Sequence, residues 1–333
     1  MKAERYAGID LLAFLFSIAV ILVHCGRLVE NPILHFFLKS GIGRLGVPFF
    51  MITGAYFYHQ KSRENNNYPQ KYYRRMVKLY LLWSIIYFPL FLNFLIQNDF
   101  SMIYLPIALL LALMYTGVWY HLWYIPNFLM PLFVIDRLYK KVAGRIAVLF
   151  GVSLIFYLIG SVETYSGYMK GSEVHQFFMQ YKSVFLTTRN FLFYSPIYIL
   201  IGFILADYFS NRFRHAKILF CGATVLWLAE LWLIYQRQGS DKNFIVSTIL
   251  LIPLLFLLAR DSRIDFYHSH LLSEMSAYIF FAHPFIIEVI RWVGNAYLNI
   301  DITGLSLFFW TNIVTIMFVA IYMVIKRNTK PLH

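Results

Sequence analysis

Near its N-terminus the chain carries the apolar run Ile9-Asp10-Leu11-Leu12-Ala13-Phe14-Leu15-Phe16-Ser17-Ile18-Ala19-Val20-Ile21-Leu22-Val23-His24-Cys25. About 20 such residues in a helix span the hydrocarbon core of a bilayer, which is roughly 30 Å thick. The composition fits this setting, because 60% of the 333 residues are hydrophobic and only 14% are charged, whereas about a quarter of the residues in soluble domains are charged. We therefore predict an all-α, polytopic membrane protein, a helical bundle that forms a single integral-membrane domain over residues 1–333.

Apolar runs long enough to span a membrane recur along the chain. Ten of them cover residues 9–25, 38–58, 76–97, 119–139, 145–162, 190–209, 216–235, 244–259, 273–293 and 304–325. If an eleventh run, 101–117, also crossed, the basic residues of 137–145 would lie outside, against the positive-inside rule. We therefore predict that 101–117 is a re-entrant or interfacial helix. The result is about ten spans with both termini in the cytosol.

The net charge of +13 is explained by this topology. It places about two thirds of the Lys and Arg residues on the cytosolic side, as expected for a multi-pass membrane protein. A nucleic-acid partner would need a basic patch on a soluble module, so we predict the lipid bilayer and no nucleic acid as a partner. The sequence has no Gly-x-Ser-x-Gly, P-loop, His-Glu-x-x-His or Cys-x-x-Cys motif, and we predict neither a metal site nor a permanently bound cofactor.

His24 lies near the far end of the first apolar run. An ionisable side chain at membrane depth is costly, so it marks a functional site or needs a polar partner. At 100° per residue, Asp10 and Ser17 fall on the same helical stripe as His24. Asp10 is about 21 Å from His24 along the helix axis, so the two residues do not form a carboxylate–histidine dyad. A simpler role for Asp10 is the favourable placement of an acid near a helix N-terminus.

Further polar groups fall at a similar depth in other spans. Together with the first-helix histidine, the groups in the predicted outer half are His24, Arg44, His121, Arg189, His283 and Glu288. Each has a simple explanation alone, because interfacial arginines snorkel to the membrane surface and a histidine can bond a backbone carbonyl. Six such groups on several helices predict a shared polar cavity. Pro284 supports the prediction of a polar cavity, because proline interrupts the backbone hydrogen bonds of the helix that carries His283 and frees carbonyl groups.

A basic cluster precedes the third span. It contains Arg74, Arg75 and Lys78. Anchoring to anionic lipid explains such a cluster at a cytosolic helix end. The alternative is a docking site for a phosphate-bearing donor, because arginine side chains bind phosphate with two parallel hydrogen bonds.

The order of the motifs resembles the type 3 membrane acyltransferases, and most closely the branch that includes the membrane domains of membrane-bound serine racemases. The matching pieces are Gly8-Ile9-Asp10-Leu11-Leu12 running into His24, then Arg44-Leu45-Gly46-Val47-Pro48-Phe49-Phe50-Met51 with Gly54, Tyr72-Tyr73-Arg74-Arg75, His121-Leu122-Trp123-Tyr124, Arg189-Asn190 leading to Gly202, and Phe281-Ala282-His283-Pro284. They extend over nearly the whole chain. One position departs from the family, which usually has Arg or Lys where this chain has Ala13.

The resemblance implies transfer of an acyl group, commonly acetyl, from acyl-coenzyme A to a hydroxyl of a cell-envelope carbohydrate. It assigns the essential histidine of the first helix to His24. It links the basic cluster, Arg74 and Arg75 and more loosely Lys78, to acyl-CoA. Arg44, His121 or Arg189 would stabilise the oxyanion, and His283 and Glu288 would line the substrate site. The rival hypothesis is a transporter or exporter of a small polar solute such as an amino acid, since polar groups on broken helices also line permeation paths.

Overall fold

The structure, a computed structural model, describes residues 6–141, 145–209, 211 and 213–328, and all regular secondary structure within them is helical. The α-helices are α1 (Ala7–Ala19), α2 (Pro32–Phe36), α3 (Gly46–Glu64), α4 (Tyr68–Gln97), α5 (Leu105–Leu111), α6 (Tyr124–Lys141), α7 (Ile146–Tyr165), α8 (Glu173–Phe185), α9 (Ser195–Tyr208), α10 (Ala216–Gln236), α11 (Thr248–Arg260), α12 (Ser269–Val293) and α13 (Gly304–Asn328).

The described residues contain six helices that are long and apolar enough to cross a membrane. They are Ala7–His24, Tyr68–Gln97, Ile146–Tyr168, Ala216–Gln236, Ser269–Leu298 and Gly304–Asn328. The chain is therefore a multi-pass helical membrane protein, as the composition predicts. The number of ten spans stays a prediction. So does the cytosolic location of both termini, which lie outside the described residues.

Several predicted spans begin later in the structure than the apolar runs do. The run 38–58 starts with a π-helical segment, Phe37–Gly41, and a 3-10 turn, Ile42–Arg44, before α3 begins. The run 119–139 becomes helical only at Tyr124, and the run 190–209 only at Ser195. Arg44, His121 and Arg189 therefore lie in turns before helices rather than inside them. The apolar runs extend over these turns because aromatic and aliphatic residues flank their few polar ones, so hydropathy alone does not show where the helices begin.

Two stretches without a long apolar run are more helical than their polarity suggests. Residues 59–75 belong to the end of α3 and the start of α4, apart from a short turn at 65–67. The stretch 163–189 contains α8, whose N-terminus is capped by the Ser172 hydroxyl accepting from the backbone N–H of His175. The predicted interfacial segment forms a broken helix over Met102–Thr116, with 3-10, α and π parts in turn.

The described chain forms two compact units. The first contains the described parts of residues 1–47 and 255–333, and in it α1 and α13 both pack along α12. The hydroxyl of Ser276 on α12 donates to the carbonyl of Ala13 on α1 at 3.0 Å. The apolar core of this unit consists of Val20, Ile21, Leu22, Cys25, Leu28, Ile279, Ile287, Leu307, Val319 and Met323.

The second unit contains the described part of residues 48–254, in which α9 packs against α6 and α7. A side-chain carbon at Gly202 of α9 would lie 2.7 Å from the backbone oxygen of Ile52, so glycine permits the close approach of α3 and α9. Two acids in this unit satisfy backbone donors. Glu163 accepts from the N–H of Thr188 at 2.8 Å, and Glu230 accepts from the N–H of Ser247 at 2.7 Å, just before α11.

Candidate active site

The first span ends in a 3-10 turn, Val20–His24, rather than in a continuous α-helix. A 3-10 helix turns by about 120° and rises by about 2.0 Å per residue, so five residues rotate His24 by about 100° away from the α-helical extrapolation. The predicted stripe of Asp10, Ser17 and His24 therefore does not continue to His24. The axial separation of Asp10 and His24 becomes about 23 Å, which supports the prediction that the two residues act apart.

The turn places His24 beside the histidine of α12. The ring centroids of His24 and His283 are 5.5 Å apart, and their planes are inclined by 31°. His283 is fully buried, and its Nδ1 lies 2.9 Å from the carbonyl oxygen of Ile279. Because a carbonyl oxygen only accepts, Nδ1 carries the proton, and in the neutral imidazole Nε2 is then the acceptor. The half-buried His24 thus packs against a histidine in a defined tautomer.

Two charged residues of α12 complete this group. Nη2 of Arg291 donates to the backbone oxygen of His24 at 3.2 Å, and Nη1 of the same guanidinium lies 3.6 Å from Oε1 of Glu288. Both side chains are about one third exposed. We call the group of His24, His283, Glu288 and Arg291 the first-helix site. Of its four members, only Arg291 was not predicted from the sequence, although it follows His283 by two helical turns on the same side of α12.

Arg44 belongs to the same unit and lies on the 3-10 turn that packs against the turn of His24. The contact is close at Gly43, where a side-chain carbon would lie 2.9 Å from Cγ2 of Val23. The structure therefore brings the Arg44 turn to the end of the first span, and the half-buried Arg44 side chain is carried there with it.

The opposite end of α1 holds Asp10 and Ala13. Asp10 lies in the first turn of α1, and its Oδ2 has no hydrogen-bond partner among the described residues. Ala13 stands at the position where the type 3 acyltransferases usually have a cation. It is buried, and its carbonyl accepts a hydrogen bond from Ser276 of α12. A long cationic side chain at this position would need space that α12 occupies.

The second unit brings together two other predicted site residues. The guanidinium of Arg189 lies 4.4 Å from the ring centroid of Trp123, and its Nη1 is 3.9 Å from Oδ2 of Asp241. Trp123 belongs to the same turn as His121, whose buried ring packs edge-on at 4.8 Å against Tyr87. Arg189 and the His121 turn therefore neighbour one another. The expectation of one polar cavity shared by all six groups stays a prediction.

The basic cluster forms an exposed stripe on the first turns of α4. Arg74, Arg75 and Lys78 are all exposed there. The guanidinium of Arg75 lies 5.6 Å from the ring centroid of Tyr72, and Lys61 from the end of α3 lies 5.8 Å from that of Tyr68. Cations held over aromatic rings and open to solvent are suited to anionic groups, either of lipid or of a nucleotide donor.

A buried histidine–aspartate pair in the second unit was also not predicted from the sequence. His59, which is 4% exposed, stacks on Phe203 with ring centroids 4.2 Å apart. Asp207 of α9 lies 3.1 Å from Nε2 of His59 and also accepts from Arg63 at 2.5 Å and from the Tyr139 hydroxyl at 2.9 Å. The signal was present in the sequence, since Asp207 is an acid within the apolar run 190–209. Through these contacts Asp207 connects α9 to α3 and α6.

A comparison with known protein families identifies the family of this chain. A family profile described as an acyltransferase domain, that of the acyltransferase 3 family, matches residues 6–325. The chain belongs to this family. The resemblance predicted from the order of the motifs is thereby confirmed.

Curated relatives of this acyltransferase 3 chain carry racemase names. An amino-acid racemase of Enterococcus faecalis is 28% identical over 218 residues, which are 64% of this chain and 30% of that protein. A serine/alanine racemase of Enterococcus gallinarum is 23% identical over 96% of this chain and 46% of that protein. The chain thus spans less than half the length of these relatives. No solved structure matches it.

Proposed function

We propose that the protein is a membrane O-acyltransferase that moves an acyl group, most simply acetyl, from cytosolic acyl-CoA to a hydroxyl of a cell-envelope carbohydrate. Membership of the acyltransferase 3 family supports acyl transfer. The observation that carries the residue assignment is the placement of His24, which ends the first span with its ring beside His283.

The chemistry follows from an imidazole in a half-buried site. His24 removes the proton of the acceptor hydroxyl, and the hydroxyl oxygen attacks the thioester carbonyl carbon. The tetrahedral oxyanion then collapses, the carbon–sulfur bond breaks, and the protonated imidazole returns the proton to the leaving thiolate. Arg44, on the turn that packs against that of His24, stabilises the oxyanion in a site of low dielectric constant. His121 and Arg189 remain candidates for this role from the sequence. His283 and Glu288 line the acceptor site.

The donor docks at the exposed stripe of Arg74, Arg75 and Lys78. These side chains bind the phosphates of coenzyme A, and the pantetheine arm carries the thioester towards the bundle. The support for this docking site is the exposure of all three cations on the first turns of α4, next to the Lys61 and Tyr68 pair.

The proposed topology keeps this stripe in the cytosol of a bacterial cell. It comprises ten spans, both termini in the cytosol, and the segment 101–117 in an interfacial or re-entrant position. Length alone does not separate Met102–Thr116 from the equally short apolar helices Ser195–Tyr208 and Thr248–Arg260. The distribution of basic residues distinguishes them, because a crossing at 101–117 would place the basic residues of 137–145 outside the cell, against the positive-inside rule.

Transport of a small polar solute such as an amino acid is the second candidate. The observation that favours it is irregular helical geometry, with a π-helical segment at Phe37–Gly41 that separates α2 from α3 and π-helical ends at Ala112–Thr116 and Gly294–Leu298. Broken helices free backbone groups that line permeation paths.

One assay of the purified, reconstituted protein separates the two functions. Radiolabelled acetyl-CoA with an envelope carbohydrate fraction tests acyl transfer, and uptake of labelled serine into the same proteoliposomes tests transport. The acyltransferase proposal expects an alkali-labile labelled ester that needs His24. Serine uptake without any labelled product would overturn it and support transport.

A further inference from the structure

The carbonyl group of His24, which ends the first span, and those of the next two residues are each bound by a donor from another part of the first unit. Nη2 of Arg291 donates to the oxygen of His24 at 3.2 Å, the N–H of Gly304 donates to that of Cys25 at 2.7 Å, and Nζ of Lys39 donates to that of Gly26 at 3.0 Å. The last carbonyls of a helix have no partner within the helix, and cations are favourable near them. These contacts therefore fix the end of the first span.

Arg291 differs from the other two donors, because it binds the residue that carries the proposed base. Arg291 lies on α12, the helix that also carries His283. This helix therefore contacts His24 at two points: His283 packs against the imidazole ring, and Arg291 binds the backbone oxygen. The guanidinium has five N–H donors in a rigid plane. Its Nη2 binds the backbone oxygen of His24, and its Nη1 lies 3.6 Å from Oε1 of Glu288. Glu288 therefore sets the direction in which Arg291 reaches the first span.

We infer that Arg291 is a positioning residue for His24, with Glu288 as its orienting partner. The inference rests on the proposed acyl transfer. Arg291 holds the backbone of residue 24 and thereby keeps the imidazole against His283, where it meets the acceptor hydroxyl. Without this hydrogen bond the last turn of the first span frays, and a displacement of about 1 Å at a reacting group costs on the order of 10²-fold in rate.

Lys39 offers a matched control, because it is also a cation bound to a carbonyl of the same helix end, two residues beyond His24. We would prepare Arg291→Met, Arg291→Lys, Glu288→Gln and Lys39→Met in the full-length protein and measure thermal unfolding, kcat and the donor KM. Arg291→Met should lower kcat by about 10- to 100-fold with the donor KM unchanged. Arg291→Lys should recover part of the loss, Glu288→Gln should lose less than Arg291→Met, and added guanidinium ion should raise the activity of Arg291→Met. Lys39→Met should stay within about 3-fold of wild type.

A second measurement does not depend on activity. Diethyl pyrocarbonate labels accessible imidazoles, and peptide mass spectrometry gives the labelling rate of His24. The rate should rise at least about threefold in Arg291→Met and stay unchanged in Lys39→Met, because only the first substitution releases residue 24.

Equal losses of kcat in Arg291→Met and Lys39→Met, or an unchanged labelling rate of His24 in Arg291→Met, would overturn the positioning role. If the wild type transfers no acyl group, the proposed function fails. The labelling comparison then still decides whether Arg291 holds His24 in place.

Discussion

The rings of His24 and His283 lie 5.5 Å apart, although 259 positions of sequence separate the two residues. The contact forms because α1 and α12 pack along each other and because the first span ends in a 3-10 turn at that depth. Next to them, Arg291 binds the backbone of His24 and faces Glu288. The catalytic prediction depends on this arrangement, in which the His24 imidazole packs against a second imidazole while the backbone carbonyl of the same residue accepts from a guanidinium.

His24→Ala should lower acyl transfer by about 10²- to 10⁴-fold, because a general base contributes an effect of that size. His24→Gln should be nearly as inactive, since an amide forms hydrogen bonds but does not take a proton. Donor binding, measured by titration with acyl-CoA, should survive in both variants. His35→Gln, a change on the short helix α2 that follows, serves as the control and should stay within a few-fold of wild type. Full transfer by His24→Gln would leave His121 or His283 as the base.

Changing Arg74 and Arg75 together to alanine should weaken acyl-CoA binding about tenfold or more, because two charge-assisted contacts at an exposed site are lost. Lysine at both positions should recover only part of the affinity, since lysine does not form the two parallel bonds of arginine. Arg137→Ala with Arg145→Ala removes the same charge from other exposed positions that we predict to be cytosolic and should have little effect. Equal affinity in the two double variants would assign Arg74 and Arg75 to lipid anchoring.

The topology can be tested with single cysteines after Cys25 and Cys221 have been replaced. Glu64→Cys and Lys141→Cys should both resist an impermeant maleimide in intact cells and react after permeabilisation, because the charge pattern places both in the cytosol. Labelling of position 141 but not of position 64 in intact cells would show that 101–117 crosses the membrane, and the ten-span topology would be wrong.

Asp207→Asn should destabilise the second unit by about 2 kcal/mol, because it removes the charge that three donors share in a largely buried place. The donors come from His59, Arg63 and Tyr139. Thermal unfolding in detergent should show a transition lowered by a few degrees. Arg63→Met should lower it less, since the Arg63 side chain is 64% exposed. An unchanged transition in Asp207→Asn would show that the cluster does not hold α3, α6 and α9 together.

The loop after His24 should open in mild acid. Burial, and then the charges of Lys39 and Arg27, lowers the pKa of His35 from its ordinary value of 6.5. His35, on α2, then binds a proton more readily when the loop is open than when it is closed, so the closed loop loses stability as the pH drops below about 6.5. Nδ1 of His35 accepts from the N–H of Leu28, and protonation removes this acceptor. Hydrogen exchange at Leu28 should therefore accelerate in acid, after correction for the intrinsic rate.

The N–H of Ile33 gives an internal reference for that experiment. It donates to the side chain of Asn31 at 3.0 Å, a contact that does not titrate in this range. If Leu28 and Ile33 gain exchange in parallel between pH 7 and pH 5, the opening has another cause than His35.

Composition and the spacing of apolar runs were enough to predict a helical multi-pass membrane protein, because the bilayer requires long apolar helices whatever their partners. The ordered motifs were enough to predict the family. They also marked His24, since an ionisable histidine stands out among the apolar residues of its run.

The interrupted helix ends depended on tertiary structure. The 3-10 turn at His24 lies in apolar sequence, so neither polarity nor helical periodicity indicates it. The turn that carries Arg189 does contain a polar signal, which the longer apolar run around it obscured. Asn190 shows the local reason, because its side chain accepts from the N–H groups of Leu192 and Phe193 and delays the start of α9.

The partners of Arg291, His59 and Asp207 were also revealed only by packing. An arginine at a span end and a histidine at a helix end are ordinary in a membrane protein. They become informative when α12 delivers a guanidinium to the carbonyl of His24, or when α9 delivers a carboxylate to His59. Apolar pattern and charge asymmetry are local properties to which the bilayer responds directly. The pairing of residues hundreds of positions apart is decided by which helices pack together, and a single sequence contains no local signal for that choice.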